Sequence, residues 1–165
     1  MNCPIDDSSR LSDLPFAGQF LIWFLRSWVD DQRHPGHASV NLKDGAQAAG
    51  LSDATRDLDR FMRTLAASAP GVIVIEHPDC RQLSNDEKLL LAALSSLQAG
   101  RIHDFEDLLA SVIPPAAVRI ARMPAAQFVG RFQREGLVLP ECATEPRETV
   151  SRLTLCPDPG TMRLQ

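Results

Sequence analysis

The stretch Ser84-Asn85-Asp86-Glu87, followed by Leu89, Leu90, Leu91, Ala92, Ala93, Leu94 and Leu97, constrains this chain more than any other. A serine followed three residues later by a glutamate is a capping box. Each side chain accepts a hydrogen bond from the other residue's backbone N–H, so two donors orphaned at a helix start are satisfied together. The spacing predicts a helix over 84–99, stopped by Gly100. Its apolar residues cover most of its circumference. Such a helix is stable in water only when other elements surround it, so the rest of the chain must build a shell around it. A chain of 165 residues has the means. Near that length roughly 70% of the unfolded surface is buried, with no need of a disulfide or metal staple.

The shell is itself helical. A first helix is expected from Ser12 or Asp13 to Asp30, with Pro15 tolerated in its first turn. Phe16, Phe20, Phe24 and Trp28 fall in an i, i+4 row there, widened by Leu21, Trp23 and Leu25. A short helix over 42–49 ends at Gly50. Ser52 then caps a third helix running to 68, with Leu58, Phe61, Met62 and Leu65 on one face. The run Val72-Ile73-Val74-Ile75 is the one strongly β-branched segment and reads as a strand. Beyond Gly100, Asp104 opens a helix with Phe105, Leu108, Leu109 and Val112 inward, broken at Pro114-Pro115. Two more segments, 116–123 and 124–135, are expected to be kinked or separated at Pro124, with Gly136 closing the second. Leu137-Val138-Leu139 reads as extended, and 151–155 as a second strand.

The expected fold is therefore mostly α. It is a single-domain bundle of six to seven helices with a minor two-strand β element, centred on the capped helix. Helices around Phe20, Leu58, Phe105 and Phe128 should pack against that centre. Residues 1–12 read as a flexible N-terminus and 13–139 as the helical domain, with a soft internal boundary near 69–83. Residues 140–165 read as loop and C-terminal tail holding the short strand.

Charge and leader patterns set the expected compartment. The formal charge is −4 and the pI is near 5.5, which argues against a general electrostatic grip on nucleic acid. The acidic start, Asp6-Asp7 after Ile5, does not resemble a signal peptide, and no apolar run approaches the ~20 residues of a membrane span. A cytoplasmic protein follows, and with it free thiols at Cys3, Cys80, Cys142 and Cys156. Fifteen arginines against Lys43 and Lys88 read as the codon bias of a GC-rich, bacterial genome.

Four constellations are candidates for function. The aromatic first helix holds five of the chain's nine Phe and Trp residues; whichever of Phe16, Phe20, Trp23 and Trp28 are exposed form a partner-binding face. Second, Ala46-Gln47-Ala48-Ala49-Gly50-Leu51-Ser52 resembles the turn of a helix-turn-helix. That places Ser52, Thr55, Arg56, Arg60 and Arg63 toward DNA, although Asp53, Asp57 and Asp59 share their helix. Third, His34-x-x-His37 and His77-x-x-Cys80 have spacings suited to zinc. Fourth, Cys80 or Cys142 with His77 or His103 would make a nucleophilic pair. Phosphate-binding glycine loops, nucleophile elbows and His-Glu-x-x-His are absent, and with no tyrosine there is no phenol for acid–base work. No cofactor is expected beyond that zinc. The pattern leans away from an enzyme, toward a protein-binding or accessory subunit of a cytoplasmic complex or a self-associating protein, with a helix-turn-helix regulator binding DNA as the alternative.

Overall fold

The computed structural model describes residues 3–4, 10–35, 42–143 and 162–164. The described residues are mostly helical and form six α-helices: α1 (Phe16–Arg33), α2 (Leu42–Ala48), α3 (Ala54–Ser68), α4 (Asn85–Gln98), α5 (Ile102–Ala110) and α6 (Pro115–Arg134). Four minimal strands accompany them. β1 (Cys3–Pro4) pairs in parallel with β3 (Cys142–Ala143), and β2 (Ile73–Ile75) pairs antiparallel with β4 (Met162–Leu164). No helix among the described residues is long and apolar enough to cross a membrane.

The capping box forms as the sequence implies. The Ser84 Oγ accepts from the Glu87 N–H at 3.0 Å, and the Glu87 carboxylate accepts from the Ser84 N–H at 2.9 Å. Nearly every residue of α4 is buried. α5, α6, α1 and β2 pack on it. Leu58 and its helix α3 lie elsewhere than expected: they pack chiefly along α6 rather than on α4. One continuous apolar core nevertheless runs from Leu14 to Leu139.

Helix ends follow local chemistry. Gly50, Gly100 and Gly136 have φ of 71°, 80° and 74°, the left-handed region that favours glycine. At each, the glycine's own N–H and that of the next residue return to the helix, for example Gly50 to the Gln47 carbonyl at 3.1 Å and Leu51 to the Ala46 carbonyl at 2.7 Å. This is the Schellman arrangement. Helix starts depart more. Leu14 precedes a proline and is extended, so α1 begins after Pro15, and Leu11–Asp13 forms a separate 3-10 turn. Ser52 does not cap α3. Asp53 occupies that position without a side-chain cap, its carboxylate turned instead to Arg131 at 3.3 Å.

Two further expectations change. Residues 115–134 form one helix through Pro124. Ala117, Ala121, Ala125, Phe128 and Phe132 make an unbroken buried stripe across the proline, and this packing offsets the roughly 3 kcal/mol a mid-helix proline costs. Residues 137–139 belong to no strand, and the Gln98 side chain bonds them where a neighbouring strand would. Its amide donates to the Leu137 carbonyl at 3.0 Å, and its oxygen accepts from the Leu139 N–H at 2.7 Å. β2 finds its partner at Met162–Leu164, within the segment read as tail, and the strand expected at 151–155 lies outside the described residues.

The feature that joins these parts is Arg26, fully buried on α1. Its Nε donates to Glu87 Oε1 at 2.7 Å and one terminal nitrogen donates to Oε2 at 2.9 Å. The same nitrogen reaches the Gln82 carbonyl at 2.7 Å, and the other reaches the carbonyls of Cys80 and His77. Glu87 also accepts from the Glu76 N–H at 3.1 Å. Arg26→Met removes one partner of a buried pair and should lower unfolding free energy by about 3–5 kcal/mol. Arg26→Lys should recover little of this, because an ammonium has too few donors to serve two carboxylate oxygens and three carbonyls. Urea unfolding of both variants tests the pair; a loss below about 1 kcal/mol would refute its role.

Candidate functional site

The aromatic residues of α1 form a graded series from solvent to core. Phe16 is 69% exposed. Its ring stacks on Phe20 at 5.6 Å between centroids, and Phe20 stacks on Trp23 at 5.4 Å with parallel planes. Phe20 and Trp23 are half-buried. Phe24 meets both edge-on at 5.0 and 5.2 Å, then passes the contact inward to Phe128 and Phe132. Each such pair contributes about 0.5–1.5 kcal/mol beyond its buried area. The outermost rings are thus held in place from behind.

In front of them lies a cleft of about 380 Å³. Phe16 and Phe20 form one wall, Ala48 of α2 and the following Ala49 another, and Leu137, beyond α6, also lines it. Gly45 lines it too, and its lack of a side chain is required: a Cβ there would collide with the Trp23 ring. Glu135, which caps the C-terminus of α6, is the one charged residue of the lining. Its carboxylate lies over the α2–α3 turn, where a Cβ built on Gly50 would meet Oε2 at 3.1 Å.

Chemically the site offers apolar surface, a rigid aromatic ring edge and one carboxylate. A pair of groups able to pass a proton, or a nucleophile beside a base, is not part of this lining. The arrangement suits docking of apolar side chains.

The other sequence candidates are placed as follows. Trp28 is buried, and its indole N–H donates to Asp59 at 3.1 Å, so it ties α1 to α3 instead of facing outward. On α3, Arg56 and Arg60 are exposed. Arg63 is paired with Asp59 at 2.9 Å, and Thr55 donates to the Ser52 carbonyl at 2.8 Å. Asp57 is buried against Arg131 at 2.6 Å; that hydrogen bond, outweighing desolvation, pushes the guanidinium pKa up from its ordinary value. Among the described residues no three His, Cys, Asp or Glu side chains gather as a metal site would need. His34 sits at the end of α1, 3.2 Å from Asp30. His77 and Cys80 share one turn, with the Cys80 N–H donating to the His77 carbonyl at 2.9 Å. His37 lies outside the described residues. The Cys80 thiol is free, and His103 is exposed on α5.

Sequence reasoning found the aromatic wall but missed Gly45, Ala48, Ala49, Glu135 and Leu137. One signal was present. Glu135 puts a negative charge at a helix C-terminus, where a positive one is favoured. The others carry no local mark, because they are lining residues only once α2 folds against α1.

Gly45→Ala should displace Trp23, lower stability by about 1–3 kcal/mol and shift tryptophan emission to the red. Gly71→Ala is the control, since a Cβ there meets nothing within 4 Å. Equal behaviour of the two variants in urea would remove Gly45 from the site. Comparison with protein-family models, curated proteins and solved structures found no match.

Proposed function

We propose that this protein is a non-enzymatic, protein-binding accessory subunit of a cytoplasmic complex, and that the cleft at Phe16 is where it engages its partner. One observation carries the reading: a phenylalanine 69% exposed at the head of a rigid ring stack, beside an apolar cleft. Exposed aromatic rings held rigid lose little entropy on binding, and they dominate interface energetics. Ile120 and Met123 make a second exposed apolar patch on α6, but among the described residues no aromatic stack backs them.

The test is retention of a stoichiometric protein from native extract treated with nuclease. Phe16→Glu should weaken that retention at least about 30-fold, the effect of losing a hot spot worth about 2 kcal/mol. Its stability should fall by no more than about 1.5 kcal/mol, the contribution of the Phe16–Phe20 stack. Ile120→Glu should leave retention unchanged. Loss in Ile120→Glu but not in Phe16→Glu would move the interface to α6.

A helix-turn-helix regulator is the second reading, favoured by the charge arrangement on α3. Its carboxylates are engaged elsewhere: Asp53 and Asp57 by Arg131, Asp59 by Arg63. Arg56 and Arg60 are exposed and form no ion pair among the described residues. On this reading, Arg56→Ala with Arg60→Ala abolishes retention of genomic fragments at low salt and flattens the salt dependence of binding. No retention of DNA by the parent protein would end it.

A further inference from the structure

We propose that the Phe16 cleft takes a linear apolar segment of another protein carrying a lysine or arginine near its anchoring side chain, and that Glu135 pairs with that cation. The inference rests on the protein-binding reading and names the chemistry of the partner.

Glu135 is held where its own fold opposes it. It caps α6 at the C-terminus, the end at which a helix already carries about half a negative charge. Its carboxylate also overhangs Gly50, where α2 ends. The α6 end opposes this charge, while the turn itself leads from the end of α2 into the start of α3. No cation within the described residues relieves it. Arg131, one turn earlier, is committed to Asp57 and Asp53. Arg134, next in sequence, makes no ion pair with it, nor does any other described residue. Glu135 is exposed, so its carboxylate, solvated in the free protein, is open to pair with a cation brought by a partner.

The surroundings select among occupants. Glu135 repels phosphate, so neither nucleic acid nor an anionic lipid surface suits this cleft. A small molecule needs several convergent polar groups to orient it, and the lining supplies one. An apolar peptide segment, anchored against Phe16 and Phe20 and carrying a basic residue, satisfies both the rings and the carboxylate.

The test pans a phage-displayed library of random linear peptides against the parent protein, Phe16→Glu and Glu135→Lys. Peptides from the parent should share a large apolar residue and a Lys or Arg at fixed spacing. Those from Glu135→Lys should keep the apolar residue and replace the base by Asp or Glu. The best parent peptide, synthesised and followed by fluorescence anisotropy, should bind Glu135→Lys at least about fivefold more weakly, the upper end of what one exposed ion pair contributes. The thermal midpoint of free Glu135→Lys should match or exceed the parent's, because lysine suits a helix C-terminus. Apolar peptides without a basic residue, still lost in Phe16→Glu, would overturn the pairing and leave the cleft as a protein-binding site. Enrichment unaffected by Phe16→Glu, or none at all, would overturn both.

Discussion

All five N–H groups of the Arg26 guanidinium have acceptors, and the two oxygens of Glu87 accept two hydrogen bonds each. Taking both charges out of water costs several kcal/mol per ion, and their attraction repays this only when every remaining donor and lone pair is satisfied. Here it is. The consequence is geometric more than energetic. One side chain of α1 fixes the path of residues 77–82 and the start of α4, and its partner Glu87 holds the end of β2 by accepting from the Glu76 N–H. Asp86 and Ser84 add their own bonds to the Val74 N–H and carbonyl. The capping box therefore serves as a local helix start and as the seat of a long-range pair. The wall of the cleft is the other end of the same helix, so the position of Phe16 is set partly by Arg26.

What was legible in the sequence was what is decided within a few residues. The Ser84/Glu87 box and the glycines at 50, 100 and 136 are satisfied by their own neighbours in the chain, and each appears where its chemistry implies. Arg26 was not legible as a centre. In the sequence it only interrupts an apolar run, and its acceptors lie 51 to 61 residues away. Pro124 misled for a related reason. The cost of a proline is local, while the packing of Ala121, Ala125 and Phe128 that offsets it belongs to the whole bundle. The pairing of β2 with Met162–Leu164 is a contact across most of the chain, and no pattern at either end announces it.

The aromatic row shows why the site was only half visible. Four residues advance a helix by about 400°, so an i, i+4 row drifts by about 40° per step. From Phe16 to Trp28 that drift sums to about 120°, a third of the circumference. One row therefore starts in solvent at Phe16, passes the cleft wall at Phe20 and ends in the core at Phe24 and Trp28. Periodicity alone reports a shared stripe. Where the stripe crosses from surface to interior depends on which neighbours arrive, and these are α2 and the end of α6.

The bare backbone of Gly45 against the Trp23 ring has a consequence for how this sequence can vary. Asp44 and Gln47 are exposed, and changes there have little effect on the fold. Position 45 differs: its permitted alphabet has one letter for as long as an indole occupies position 23. A related chain that carries any side chain at 45 should therefore carry a smaller ring or an aliphatic residue at 23. Variation at these two positions, 22 residues apart in sequence, is then correlated, and it would report the docking of α2 on α1 directly.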